Sequence, residues 1–287
     1  MSPQPLGQHF LEDSAVIDAI IDTACIKSTD TVVEVGPGRG ALTGRIVANA
    51  KRVLLIEYDS LLAVRFANIY RSNNNVRVLN IDAREFGSDL DPWLLNTDYK
   101  VVANLPYYAA NPITRNFLES PIKPHSMVVM VQREVAMNMA ALPGEMTLLS
   151  LAVQVYGTVE HVFNVPANCF NPPPKVNSSV IRIVPSEKAR IVFESVDDFF
   201  TLARSGFKSP RKQLHNSLAD GLFIPVDEAR VLVEKTGIET SRRPATLSLE
   251  EWQILYNTWV QQGRPIEIPG SSRRKRRIVK NNQSSED

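Results

Sequence analysis

The first strong pattern in this chain is the stretch Thr31-Val32-Val33-Glu34-Val35-Gly36-Pro37-Gly38-Arg39-Gly40. Its first five residues are mostly β-branched and apolar, which predicts a buried strand. The three glycines that follow predict a tight turn, and the next residues, up to about Ala50, predict a helix. A strand, a glycine-rich turn and a helix in this order are typical of a parallel sheet that is covered by helices.

Four more apolar runs continue the alternation. The predicted strands are Arg52–Ile56, Val76–Ile81, Tyr99–Ala103 and Ser126–Val131. Helices are predicted at 13–25, about 60–70, about 112–118 and directly after the last of these strands. Five strands that alternate with helices predict an α/β fold with a doubly wound, Rossmann-like parallel sheet and right-handed crossovers.

The second half of the chain changes character. Residues 146–156 predict a helix, and two further strands are expected at about 159–165 and 177–184. The proline-rich loop between these strands, residues 169–175, cannot join a central ladder. From residue 190 onward only helical periodicity is found, at about 196–206, 210–219, 226–235 and 248–260.

These patterns divide the chain into three parts. We expect a sheet domain over residues 1–188, in which residues 6–11 are either a flexible terminus or a strap laid over a site. We expect a small all-helical domain over residues 189–265 and a basic, disordered tail over residues 266–287.

Composition excludes several classes of protein. With 287 residues, 44% hydrophobic and 22% charged, the chain is typical of soluble globular proteins. No apolar run reaches the roughly 18 to 20 residues of a membrane helix, and Met1–Gln8 lacks the features of a signal peptide. Cys25, Cys169 and the four histidines show no metal-ligand spacing. We therefore expect a cytoplasmic protein with neither a metal nor a membrane partner.

The net charge is +1, but it is unevenly distributed. Residues 271–287 carry six basic and two acidic side chains, so the rest of the chain carries a net charge of −3. Binding to a polyanion would therefore need a local basic patch and not a global field.

Polar residues follow three of the predicted strands. Residues 36–40 resemble the dinucleotide fingerprint G-x-G-x-x-G without matching it. Glu57 ends the second strand about twenty residues later, where a carboxylate binds ribose hydroxyls. Asp82 ends the third strand, within reach of an adenine edge in the same cleft. The spacing predicts a site for an adenosyl ligand.

Three adenosyl ligands would fit such a site: NAD, ATP and S-adenosylmethionine. For NAD the third glycine is misplaced, and ATP would call for a Gly-Lys-Ser/Thr loop that the chain lacks. S-adenosylmethionine fits better because it has no pyrophosphate and its amino-acid end suits a glycine turn. Its methionine end would then point at the fourth strand, which ends in Asn104-Leu105-Pro106-Tyr107-Tyr108.

With this motif the chain resembles the family of ribosomal RNA adenine dimethyltransferases, whose bacterial small-subunit (16S) members are called KsgA or RsmA. The resemblance covers about Leu6 to about Leu255. Besides Asn104–Tyr108, it is carried by Leu6-Gly7-Gln8-His9-Phe10-Leu11, Glu34-Val35-Gly36-Pro37-Gly38-Arg39-Gly40, Phe170-Asn171-Pro172-Pro173-Pro174-Lys175-Val176, Phe207-Lys208-Ser209-Pro210-Arg211-Lys212-Gln213-Leu214 and Arg243-Pro244-Ala245-Thr246-Leu247-Ser248.

The resemblance implies an S-adenosylmethionine-dependent enzyme. Its substrate would be the exocyclic N6 amine of two adjacent adenosines near the 3′ end of 16S rRNA, in an immature small subunit, and a monomer is expected. The implied cofactor contacts are His9, Leu11, Gly36, Gly38, Glu57, Asp82 and Asn104. Many family members have Asn where this chain has His9, a change that a backbone contact would tolerate. The basic run often found before the strap is missing.

The chemistry of an adenine amine explains the motif after the fourth strand. The amine is a poor nucleophile because its lone pair is delocalised into the ring. The side-chain oxygen of Asn104 and the carbonyl of Leu105 could accept its two N–H bonds and aim the lone pair at a methyl donor. Pro106 would fix the turn, while Tyr107 and Phe170 would stack on the flipped base. Tyr108 is assigned to the pocket wall.

RNA contacts are expected on basic residues of the helical domain: Arg204, Lys208, Arg211, Lys212, Arg242 and Arg243. Lys175 is left open between an RNA contact and a solvated surface charge. The basic tail could add unspecific phosphate affinity or serve solubility.

Two other functions stay open at this point. One is a macrolide-resistance methyltransferase that acts on 23S rRNA, against which the stretches 170–176, 207–214 and 243–248 argue. The other is a non-catalytic RNA-binding or transcription-factor relative on the same fold. The intact Asn104-Leu105-Pro106-Tyr107 motif argues against lost catalysis.

Overall fold

The computed structural model describes residues 9–87, 91–95 and 97–266. The strands are β1 (Phe10–Leu11), β2 (Thr31–Val35), β3 (Arg52–Ile56), β4 (Val76–Leu79), β5 (Tyr99–Asn104), β6 (Ser126–Gln132), β7 (Gly157–Val165), β8 (Phe170–Asn171) and β9 (Ser178–Pro185). The α-helices are α1 (Ser14–Ala24), α2 (Thr43–Asn49), α3 (Ser60–Ile69), α4 (Ala110–Glu119), α5 (Arg133–Met139), α6 (Leu148–Gln154), α7 (Val196–Gly206), α8 (Leu214–Leu222), α9 (Val226–Glu234) and α10 (Leu249–Gln261).

Seven strands form the main sheet in the order β4-β3-β2-β5-β6-β9-β7. The first five strands in this order pair in parallel, and β9 is antiparallel to both β6 and β7. The predicted doubly wound α/β fold is confirmed. The order turns back between β2 and β5, and ligands bind at such a point outside the carboxyl ends of parallel strands.

The central strands are buried on both faces, which explains their continuous apolar runs. Val32, Val53 and Val102 are 0% exposed and share one core with Ile17 and Ile20 of α1. Asp13 caps α1 by accepting a hydrogen bond from the backbone N–H of Val16 at 3.0 Å. The helix thereby begins where its apolar face meets the sheet.

The third predicted strand is shorter than expected. Its ladder ends at Leu79 and not at Ile81. The side-chain amide of Asn80 donates to the carbonyls of Glu57 and Tyr58, at 2.9 and 3.0 Å. A side chain thus takes the place of the ladder, which frees the backbone before Asp82.

The strap pairs with the proline-rich loop. Phe10 lies opposite Asn171 and Leu11 opposite Phe170 in a separate two-stranded antiparallel sheet. Leu11 anchors this strap in the core, because its side chain is 5% exposed and belongs to the main hydrophobic cluster. The predicted strap residues Leu6, Gly7 and Gln8 lie outside the described residues.

Contacts between Cα atoms divide the chain into two compact units. The first contains residues up to 140 together with 152–190, and the second contains 141–151 and the residues from 191 onward. The boundary falls within α6, so the second unit includes a segment before residue 189. Of the basic tail expected at 266–287, residues 267–287 lie outside the described residues.

The second unit is helical and has an aromatic core. Trp252, Tyr256 and Trp259 of α10 are at most 1% exposed. Ser248 and Glu251 form a reciprocal capping box at the start of α10. The predicted helix 210–219 begins four residues late, because residues 209–212 form a turn in which the N–H of Lys212 donates to the carbonyl of Ser209 at 2.9 Å.

No helix among the described residues is long and apolar enough to cross a membrane. Within the same residues, no group of three or more His, Cys, Asp or Glu side chains could hold a metal ion.

Candidate active site

A cavity of about 340 Å³ lies at the carboxyl ends of β2, β3 and β5, where the strand order turns back. Its walls contain all seven predicted cofactor contacts: His9, Leu11, Gly36, Gly38, Glu57, Asp82 and Asn104. Leu105, Pro106 and Tyr107 line the same cavity. The structure therefore brings together ten of the predicted residues, which the sequence spreads over about a hundred positions.

The glycine turn forms one wall of this cavity. Gly36 and Gly38 have φ angles of +65° and +56°, which a residue with a side chain adopts only with strain. A Cβ on Gly36 would lie 3.8 Å from the carbonyl oxygen of Asn104. The turn thus comes close to the end of β5 and leaves its backbone open to a ligand.

Glu57 is held in position by the turn. Its two carboxylate oxygens accept hydrogen bonds from the N–H groups of Gly38 and Asp59, at 3.2 and 2.9 Å. The residue is 6% exposed, and burial raises the pKa of its carboxyl while the two hydrogen bonds lower it. Each oxygen keeps a lone pair that can accept from a ribose hydroxyl.

Asp82 forms an ion pair with Arg84. Both of its carboxylate oxygens accept hydrogen bonds from the side chain of Arg84, which holds the pKa of Asp82 below its usual range. Asp82 lies within the cavity wall while Arg84 is exposed, so Arg84 approaches from the solvent side. A carboxylate has further lone pairs, and an adenine amine can still donate to them.

The strap packs on the glycine turn and forms another part of the cavity wall. The ring of Phe10 would lie 3.5 Å from a Cβ on Gly38, and the guanidinium of Arg39 lies 4.0 Å from the ring centroid. Nδ1 of His9 lies 2.7 Å from the carbonyl oxygen of Pro172, a hydrogen bond that ties the strap to the proline-rich loop. The His9 ring also stacks near Tyr107, with centroids 6.3 Å apart.

The end of β5 presents a free amide. Asn104 is half-buried, and its side chain has no hydrogen-bond partner among the described residues. The N–H of Leu105 donates to the carbonyl of Met130 at 3.1 Å, which fixes the turn that follows. The hydroxyl groups of Tyr107 and Ser178 are 2.8 Å apart, and burial raises the pKa of Tyr107. Tyr107 is anchored, whereas Tyr108 is 65% exposed.

Phe170 is the predicted site residue that the structure does not bring to the cavity. Its side chain is 4% exposed and packs in the core with Leu11 and Val165. Because the side chain is buried there, stacking on a base would need it to turn outward.

The chain matches one family over nearly its whole length. The model of the family described as ribosomal RNA adenine dimethylase matches residues 3–260 of the chain. The chain belongs to this family. Among curated relatives, the ribosomal RNA small subunit methyltransferase A of Dehalococcoides mccartyi is 43% identical, over 87% of this chain and 86% of the relative.

Two further comparisons agree with membership of the dimethylase family. The protein of the same name from Clostridioides difficile is 39% identical, over 88% of this chain and 89% of the relative. The crystal structure of a dimethyladenosine transferase from Plasmodium falciparum has a TM-score of 0.74 and 27% identity, and the match covers 89% of this chain and 98% of that one.

A buried acidic residue in β2 is absent from the predicted site. Glu34 of β2 is 2% exposed, and neither its Oε2 nor Oγ1 of the buried Thr43 has a hydrogen-bond partner among the described residues. Burial raises the pKa of Glu34 to about 8; the nearby Thr43 hydroxyl lowers it, and the charge of Glu57 raises it. The signal was present in the sequence, since Glu34 is the single charged residue in Thr31–Val35.

The basic residues predicted to contact RNA differ in their surroundings. Arg211 and Arg243 are exposed and have no ion-pair partner among the described residues. Lys212 forms an ion pair with Asp220 at 2.7 Å, and Lys208 donates to the Asp220 carbonyl. Arg242 is half-buried and bonds to Glu251 and Thr246, so its side chain is occupied within the fold.

Proposed function

We propose that this protein is an S-adenosylmethionine-dependent 16S rRNA adenine N6-dimethyltransferase. Its substrate would be two adjacent adenosines near the 3′ end of 16S rRNA, in an immature small subunit in the cytoplasm. The observation that carries the proposal is the Asn104 amide, which has no side-chain partner in the described part of the chain and lies in the wall of the same cavity as the buried carboxylate of Glu57. The small-subunit name of the curated relatives supports the choice of 16S over 23S rRNA.

The residues present fit the proposed methyl donor. Glu57 is a buried carboxylate that can accept from ribose hydroxyls, and Asp82 can accept from an adenine amine. The turn at Gly36 and Gly38 offers open backbone for the amino-acid end. When bound, S-adenosylmethionine supplies an electrophilic methyl group on a sulfonium.

Asn104 and Leu105 would orient the adenine amine. The Asn104 side-chain oxygen accepts one N–H bond and the Leu105 carbonyl accepts the other, which favours a pyramidal nitrogen with a free lone pair. Holding the amine in this geometry replaces a bimolecular encounter by an oriented one. This chemistry needs no general base, because the amine loses its proton after the new N–C bond forms.

Tyr107 would support the flipped base from one side. Its hydroxyl is held by Ser178 and its ring lies beside His9, so the ring is fixed before the base arrives. Stacking on an aromatic ring contributes about 1–3 kcal/mol per base, comparable to the few kcal/mol that flipping costs. A second stacking face from Phe170 would require its movement out of the core, and Tyr108 is the exposed aromatic neighbour.

Methylation with labelled S-adenosylmethionine tests this function. Naked 16S rRNA, naked 23S rRNA and immature small subunits are compared as substrates. We expect label in the small-subunit RNA, at two adjacent adenosines. Label in 23S rRNA alone would refute the choice of substrate, and no label in any RNA would favour a binding protein without catalysis.

A further inference from the structure

A second cavity, an open groove of about 520 Å³, lies in the first compact unit, which contains the main sheet and is called the sheet unit below. One wall is the end of β6 and the start of α5, which contribute Arg133, Glu134 and Met137. The other wall is the segment Lys175-Val176-Asn177 before β9. The N–H of Arg133 donates to the carbonyl of Asn177 at 2.9 Å, so a backbone hydrogen bond joins the two walls.

The groove lies beside the candidate active site. In the parallel pair β5–β6, Asn104 stands opposite Met130, so both strands end at the same edge of the sheet and Arg133 follows three residues later. Asn177 directly precedes Ser178, whose hydroxyl lies 2.8 Å from that of Tyr107. An RNA whose target base enters the cavity at Tyr107 would therefore place its neighbouring nucleotide at this groove.

The side chains of the groove suit a nucleotide. Arg133 and Lys175 are exposed and have no ion-pair partner among the described residues, whereas Arg77, Arg115 and Arg182 of the same unit are paired with carboxylates. Met137 and Val176 are 48% and 46% exposed.

Arg133 and Lys175, unpaired within the described residues, lie beside exposed apolar side chains, and this combination matches a phosphate next to a sugar and base. Glu134 is the carboxylate of the groove, and it lies in the first turn of α5, where negative charge stabilises the helix.

We propose that this groove binds the nucleotide that flanks the methylated adenosine, with its phosphate at Arg133 and Lys175. The proposal rests on the proposed function, since it assigns a further part of the same RNA strand. It places an RNA contact on the sheet unit, in addition to the basic residues expected on the helical unit.

The test compares the wild type with the double variant Arg133→Ala/Lys175→Ala in the full chain. The matched control is Arg71→Ala, an exposed arginine that precedes β4 at the opposite edge of the sheet. We expect the KM for immature small subunits to rise about tenfold in the double variant, as for the loss of charged hydrogen bonds. The KM of the double variant for S-adenosylmethionine should stay at the wild-type value. Both KM values of Arg71→Ala should also equal those of the wild type.

A binding titration identifies the phosphate. Single phosphates of a synthetic 16S rRNA fragment with both target adenosines are replaced by uncharged methylphosphonate. One replacement beside a target should weaken binding to the wild type and have no effect on the double variant. Equal weakening in both proteins, or a lower kcat with an unchanged KM for RNA, would overturn the proposal. If the wild type methylated no RNA, the proposed function would fail, and this titration would still decide whether the groove binds RNA.

Discussion

Asn104 is the residue on which the proposed chemistry depends most. Asn104→Ala removes the acceptor for one amine N–H and leaves the glycine turn and Glu57 intact. We predict that kcat for methyl transfer falls by about 10²–10³-fold, as for the loss of one preorganised polar contact in other enzymes. Titration with S-adenosylmethionine should still give measurable binding. The control is Asn168→Ala, an exposed asparagine outside the cavity wall; full turnover of N104A would disprove the mechanism.

Glu34 makes stability depend on pH in a specific direction. Its pKa rises from 4.5 to about 8 on folding, so the folded protein holds a proton that the unfolded chain has released between these values. The contribution of Glu34 to the free energy of unfolding is fully present below pH 4.5. It is lost as the pH rises towards 8, by up to about 1.4 kcal/mol per pH unit. Glu34→Gln cannot titrate, so we predict that it loses this dependence.

The measurement is the free energy of unfolding in urea at pH 5.5, 6.5 and 7.5. The free energy of unfolding of Glu34→Gln, minus that of the wild type, should become more positive as the pH rises. Glu187→Gln, at an exposed position, should follow the wild type at every pH. Parallel profiles for Glu34→Gln and the wild type would show that Glu34 is ionised in the folded protein.

Among the elements, the strap depends on one buried side chain. Two-residue strands such as β1 and β8 cannot be stable on their own. Leu11 anchors the strap in the core, and we predict that Leu11→Ala lowers the free energy of unfolding by about 2–5 kcal/mol. The same variant should bind S-adenosylmethionine more weakly, because His9 and Phe10 lose their support.

The matched control for the strap is Leu61→Ala. Leu61 is 82% exposed on α3, so its removal should change the free energy of unfolding by less than about 0.5 kcal/mol. Urea unfolding and a cofactor titration on both variants make the comparison. Equal stability of the two variants would mean that the strap does not depend on the core.

The accuracy of the sequence predictions also varied by element. The strands β2, β3, β5 and β6 were predicted within one residue, because continuous apolar runs mark buried strands locally. The start of α8 and the end of β4 were not, because hydrogen bonds outside the helix and strand patterns fix these ends: the turn at 209–212 and the Asn80 amide.

For the whole molecule, charge distribution governs the expected affinity for RNA. The chain apart from its last 17 residues carries a net charge of −3, so binding depends on local cations. Arg211→Ala and Arg243→Ala should each weaken RNA binding and reduce the slope of log K against log salt by about 1. Lys235→Ala, an exposed cation of the same unit outside the predicted set, is the control. An unchanged slope in both arginine variants would remove these residues from the RNA contact.

The sequence alone determined the α/β architecture and ten residues of the cavity wall. Gly36, Glu57, Asp82 and Asn104 lie at or just beyond strand ends, and parallel strands bring their carboxyl ends to one edge whatever the loops between them do. The tertiary structure decided the rest, because it depends on contacts between distant positions. Tyr107 meets Ser178 across 71 residues, and the strap meets residues 170–171 across about 160. No local period encodes such pairs, so the burial of Phe170 and the anchoring of Tyr107 appeared only in the folded chain.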